Sequence, residues 1–151
     1  MSEELNIAPA VTETGIVANG FFNKIIQSVN EDGFYATFDV HNTKGAKKLY
    51  KATNASELLR DYMQTPITLA DIAFAPTEVT DDEGFAKSTV GVFLIAEDGT
   101  SYMSSSNGVI KSAMKILAQF GTPDTWDEPL VVICKETNTA KGRRYKFLDV
   151  E

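Results

Sequence analysis

Phe85-Ala-Lys-Ser-Thr-Val-Gly-Val-Phe-Leu-Ile-Ala96, then Glu97-Asp98-Gly99-Thr100, then Ser101-Tyr102-Met103-Ser104, is the stretch that decides how this chain folds. The first segment reads as a long strand, with Gly91 a bend or bulge. Asp98-Gly99 marks a tight hairpin turn that leads into the next strand. A hairpin implies antiparallel pairing. Working backward, Pro66 to Val79 reads as a strand interrupted near Pro76, where a proline points to an edge or a bulge. Asp81-Asp82-Glu83-Gly84 turns the chain between these two strands. Working forward, Ser105 to Gly121 is the clearest helix. Ser105 or Ser106 can cap it, and Val109, Ile110, Ala113, Met114, Ile116, Leu117 and Phe120 give it a wide apolar face. Gly121 and Pro123 end it. Strands Pro129 to Lys135 and Arg143 to Val150 follow, joined by Glu136 to Gly142.

The first half is less regular. Residues 1 to about 20 read as a loose lead-in. Phe21 to Val29 fits either a strand or a helical turn, and Asp32-Gly33 reads as a hairpin turn. Gly33 to Asn42 alternates: Phe34, Ala36, Phe38 and Val40 face one way, and Tyr35, Thr37, Asp39 and His41 the other. Lys47 to Thr53 is read as a second strand pairing with it, and Asn54 to Met63 as helical. The sum is six or seven strands, mostly hairpin-linked, with one substantial helix. One domain of 151 residues is expected, mainly β: a small antiparallel Greek-key barrel of the OB type. A helix-on-sheet α+β sandwich is the runner-up.

Composition excludes several function classes. The single cysteine, Cys134, lies in an apolar run and reads as a small buried hydrophobe, so no oxidising compartment is needed. The acidic start lacks the basic region of a secretory signal, and no apolar run is long enough to cross a bilayer, so a cytosolic protein is expected. No phosphate-cradling glycine loop, zinc motif or nucleophile elbow occurs. His41 is the one histidine, and the acids of 81–83 and 124–128 read as solvated turns. Neither catalysis nor a cofactor is expected.

The net charge of −7 argues against a nucleic-acid partner if taken as an average. The local pattern argues the other way. Of 14 basic residues, nine fall in two short segments: Lys44, Lys47, Lys48 and Lys51, then Lys135, Lys141, Arg143, Arg144 and Lys146. Aromatic residues interleave with them. Read as a strand, Lys47 to Lys51 places Lys48 and Tyr50 on one face. Arg143, Tyr145 and Phe147 share a face in the second segment, with Arg144 and Lys146 opposite. Unpaired nucleic acid needs this combination, because cations track phosphates while ring faces stack on bases. Tyr35, on the polar side of its strand, and Tyr102, near a hairpin end, extend the candidate set. Phe34, Phe38, Phe93 and Phe120 read as core, and Trp126, among acids, as a cap on the barrel.

At these residues a resemblance enters. Lys48-Leu49-Tyr50-Lys51-Ala52-Thr53-Asn54 resembles the Lys-x-Tyr-Asn-Ala-x-Asn stretch of a family of phage single-stranded DNA-binding proteins. Asp98-Gly99-Thr100-Ser101-Tyr102, with Ser105/Ser106-Asn107-Gly108-Val109, is similar to that family's Asp-Gly-x-x-Tyr-x-x-x-Ser-x-Gly-Val block. Phe120-Gly121-x-Pro123, Trp126, Pro129 and the final basic hairpin match its ending in outline. The likeness covers roughly residues 34 to 150. Lys51 departs from the family's usual asparagine and adds charge. The resemblance implies an OB-like replication accessory protein that coats displaced single strands, protects them from nucleases and melts hairpins. Replication proteins and further copies of the chain stand as candidate partners, with no membrane.

The expected mechanism places Lys47, Lys48, Tyr50 and Lys51 on one side of a groove and Lys141, Arg143, Arg144, Tyr145 and Lys146 on the other. Two rivals remain. An adaptor that binds another protein would show no salt-sensitive binding of single strands. A metal-dependent nuclease using the loop acids would degrade DNA with Mg²⁺ or Mn²⁺.

Overall fold

The computed structural model describes the backbone of residues 16–80 and 82–151 and the side chains of residues 22–78, 80 and 82–151. The expected lead-in lies mostly outside these; from Ile16 the chain is helical. Helix α1, Ile16–Asp32, resolves the ambiguous segment: Phe22, Ile25, Ile26 and Val29 recur at helical spacing, and Ile25 and Val29 are buried. Gly33 stops it, its amide donating to the Val29 carbonyl at 3.0 Å, so Asp32-Gly33 is a helix terminus and no hairpin.

The expected strand over 33–42 shrinks to β1, Tyr35–Ala36. Side chains take over the backbone just beyond it. Asp39 Oδ1 accepts the His41 amide at 2.9 Å, and Thr37 Oγ1 accepts the Ile72 amide at 3.0 Å. An aspartate bonding two residues ahead offers the chain a turn in place of a ladder.

The second expected strand is a helix. Helix α2, Thr43–Asn54, starts at Asn42, whose side chain accepts the Gly45 amide at 2.7 Å. The expected helix over 54–63 dissolves in turn. Asn54 Nδ2 donates back to the Tyr50 carbonyl at 2.9 Å, which makes Asn54 the end of α2. A two-residue strand β2, Glu57–Leu58, and a 3-10 turn, Leu59–Tyr62, follow.

The rest follows the sequence reading closely: β3 Pro66–Thr80, β4 Ala86–Ala96, β5 Ser101–Ser104, α3 Asn107–Phe120, β6 Leu130–Asn138 and β7 Arg144–Val150, with a 3-10 turn at Pro123–Thr125. Strand β3 runs through Pro76, and its irregularity lies between Leu69 and Asp71 instead. Pro76 is tolerated because β3 pairs with β6 only over Pro66–Leu69 and with β1 at 73–74, so at Pro76 the ladder to β4 is the one given.

The described strands form one seven-stranded sheet in the order β2-β5-β4-β3-β6-β7, with β1 on β3. The β2–β5 pair is parallel and the others antiparallel. The sheet curls into a half-barrel of OB-like form. Its ends approach at a cleft lined by Leu58 of β2, Met103 and Ser104 of β5, Cys134 of β6 and Lys146 of β7, while the Gln64 amide, donating to the Cys134 carbonyl at 2.9 Å, extends the β3–β6 ladder by one bond. Period-two alternation sorts the core. Ile72 and Phe74 join Val92, Leu94, Val132, Leu148 and the apolar faces of α1 and α3. Ala73, Ala75 and Phe93 face the opposite side, where Phe34, Ala36, Leu49 of α2 and Met103 cover them. Each fully buried side chain such as Ile72, Leu94 or Ile110 contributes about 1.5–3 kcal/mol relative to exposure.

Candidate nucleic-acid interface

The inward side of α2 carries Gly45, Lys48, Leu49 and Ala52, at spacings of three and four. Gly45 packs so closely on the backbone that an added Cβ would lie 1.7 Å from the Asp39 carbonyl oxygen. At the other end Ser101 Oγ donates to the Ala52 carbonyl at 2.9 Å. Lys48 therefore turns inward. It forms an ion pair with Asp71 and lies 4.5 Å from the centre of the Phe38 ring. Asp71 also accepts from Thr37 Oγ1 at 2.8 Å. Lys48 is thus a strut between α2 and β3, contrary to the strand reading that put it beside Tyr50.

The outward side of α2 carries Lys44, Lys47, Tyr50 and Lys51, all exposed. Tyr50 is 70% exposed, too much for a core ring. Among the described residues none of these three lysines has an ion-pair partner. A helical repeat thus yields what the strand reading expected of a strip, with different members: three cations around one ring.

The second strip keeps its expected alternation. Tyr145 and Phe147 stack on one side of β7, centroids 6.2 Å apart and planes 17° from parallel. Arg144 and Lys146 share the other side, and each lies 3.8 Å from Glu136 of β6. Lys135 is tied to Asp149 at 2.6 Å, and with the Val150 amide that bond holds the Asp149 carboxyl below its ordinary value. Lys141 and Arg143, in the connecting turn, are exposed without such partners among the described residues. The two strips belong to different parts of the sheet. α2 lies over β4 and β5, whereas β7 ends the strand order on the far side of β3. What the curl brings together is Lys146 with Leu58, Arg60, Met103 and Ser104–Ser106, lining one small cleft.

Two other candidate rings face the core. Tyr35 is half-buried, 6.2 Å from the Phe74 ring and tilted 54° to it; burial raises its hydroxyl pKa. The irregular backbone around β1 removes the polar strand face to which Tyr35 was assigned. Tyr102 is half-buried in edge-to-face contact with Tyr62 at 5.1 Å. Tyr62 in turn donates to Glu57 at 3.2 Å, and the nearby carboxylate raises its pKa. Phe93 is buried as expected, but Phe120, the last residue of α3, is 46% exposed. Trp126 latches that end of the helix, its ring N–H donating to the carbonyls of Phe120 and Gly121 at 2.9 and 3.1 Å. Cys134 is buried, and burial raises its pKa.

Arg60, Lys111 and Lys115 escaped the sequence reading. The signal for the last two was present: four residues apart on the polar side of α3, they face away from its apolar stripe. Among the described residues, no group of three or more His, Cys, Asp or Glu side chains is placed to hold a metal ion. No described helix is long and apolar enough to cross a membrane.

The family model described as phage single-stranded DNA-binding protein, of the Phi29 type, matches residues 28–151. The match starts within α1 and takes in α2, the whole sheet and α3. Neither the comparison with curated proteins nor the one with solved structures gives a match.

Proposed function

The chain belongs to the phage single-stranded DNA-binding protein family, and on that premise we propose that it coats displaced strands during phage DNA replication in the host cytoplasm, acting by binding alone. The observation that carries the placement of the DNA is the outer face of α2, where Lys44, Lys47 and Lys51 surround the exposed Tyr50. Cations on a fixed helix meet phosphates, and a ring standing clear of the core is available to stack on a base of any identity. Lys141 and Arg143 at the hairpin tip add a second point of attachment. These five unpaired cations, at about −0.7 each, contribute about −3.5 to the expected log–log salt slope.

The test is an anisotropy titration of labelled oligo-dT, about 30 nucleotides long, at about 50 and 300 mM salt with duplex competitor. Tight binding that weakens with salt and resists duplex is expected. Absence of binding at low salt sinks the proposal.

A further inference from the structure

A groove of about 480 Å³ runs between α3 and β7, in the size range of ligand clefts. Of the two expected strips only Tyr145 reaches it. Lys111 and Lys115 line its helical wall, with Gln119 and Phe120 beyond them. Tyr145 and Phe147 line the strand wall as a stacked pair. Their position is fixed by a close approach: a Cβ on Gly108 would lie 2.0 Å from the Lys146 carbonyl oxygen and 2.9 Å from the Tyr145 ring. Glycine there lets the helix seat against β7 while Tyr145 stays 42% exposed.

The unpaired charge in the groove has one sign. Among the described residues Lys111 and Lys115 have no ion-pair partner. The one acid among the lining residues, Asp149, is held by Lys135 at 2.6 Å. Three rings with exposed area, two unpaired lysines and a neutralised acid complement a chain of phosphates carrying unpaired bases.

Resting on the single-strand reading above, we propose that the α3–β7 groove is a second track for the bound strand. Lys111 and Lys115 neutralise phosphates, and Tyr145, Phe147 and Phe120 receive bases. The strand then engages the protein at α2 and again along α3, so that one molecule covers more nucleotides than the α2 face alone.

The experiment compares wild type with Lys111→Gln/Lys115→Gln, Phe147→Leu and Lys44→Gln/Lys47→Gln/Lys51→Gln, binding oligo-dT across a salt series. Thermal melting serves as the check on folding. The α3 pair should make the salt slope shallower by about 1.4, two phosphates at about 0.7 each. Phe147→Leu, which keeps the bulk and loses the ring, should weaken binding about 5-fold or more, the lower end for one stacked base. Photocross-linking with iododeoxyuridine should label the 144–150 peptide. If the α3 pair and Phe147→Leu bind like wild type while the α2 triple variant loses slope, the second track is overturned, the single-strand reading stands, and the groove passes to a protein partner. If wild type binds no oligo-dT, the underlying reading fails and takes the track with it.

Discussion

Helix α2 and the β6–β7 hairpin carry the same chemistry, lysine or arginine around a tyrosine, and dispose of it differently. In α2 position around the helix does the sorting: Lys48 points in and meets Asp71, while Lys44, Lys47 and Lys51 point out and meet no acid among the described residues. In the hairpin the neighbouring strand does it. Lys135 faces Asp149, and Arg144 and Lys146 share Glu136, which leaves only the turn residues Lys141 and Arg143 unanswered. The rings differ in the same sense. Tyr50 stands clear at 70% exposure, whereas Tyr145 leans on Gly108 and Phe147. A cluster of basic residues is therefore no measure of available charge; the number of acids that the fold sets beside it is.

The largest effect that can break this comparison lies in the two glycines that seat the helices. Gly45→Ala and Gly108→Ala each force a Cβ into a carbonyl oxygen and should each destabilise the protein by about 3 kcal/mol in urea denaturation. A Gly45→Ala protein that unfolds like wild type would show that α2 does not dock against Asp39. Next comes the ring. Tyr50→Ala should weaken oligo-dT binding by about 1–3 kcal/mol with its melting temperature unchanged, and a lower melting temperature would place Tyr50 in the core. A smaller effect sharpens the contrast in charge. Glu136→Gln should release Arg144 and Lys146, making the hairpin resemble α2 and tightening binding by about 0.5–1 kcal/mol at low salt. Titration calorimetry would read it, and unchanged affinity would mean that those cations do not face DNA.

The smallest effect is in acid. The Lys135 hydrogen bond holds the Asp149 carboxyl below its ordinary value of 3.8. Its pKa is lower folded than unfolded, so its contribution to stability is present above 3.8 and is lost as pH falls through the folded value. Asp149→Asn should flatten the loss of stability over that acid range, and parallel curves for the two proteins would remove the pair from the stability account.

Strands β3, β4, β6 and β7 and helix α3 were legible because each is long and repeats its apolar residues at a single period. Helix α2 was hidden by composition. Its inner face is a glycine, a lysine, a leucine and an alanine, so helical spacing is carried mostly by residues that register weakly as apolar. The intervening Lys-Leu-Tyr-Lys meanwhile mimics alternation. The readable clue was Asn42 three residues before Gly45, a cap that passes equally for a turn. The same error set Lys48 beside Tyr50 and put Lys47 and Lys51 on the opposite face, whereas the helical repeat turns Lys48 inward and gathers Lys47, Tyr50 and Lys51 outside. In β7 the period was right and so was the sorting of Tyr145 and Phe147 from Arg144 and Lys146. What no local pattern could reveal was Glu136 and Asp149 across the ladder, or the seat of α3 on Gly108, since these depend on contacts between distant segments.

One contact between α3 and β7 bears on life in a crowd. Strand β7 ends the sheet, and the Leu148 amide faces outward, where it donates to Ser112 Oγ at 3.1 Å; that hydroxyl in turn donates to the Gly108 carbonyl at 2.8 Å. An open sheet margin is a template on which another chain can add a strand. Proteins lined up along one polymer are held at high local concentration, the condition under which such templates seed aggregates. Here the helix fills the hydrogen-bonding position that an incoming strand would take, so neighbouring copies can be brought close by the nucleic acid without their sheets fusing at this edge.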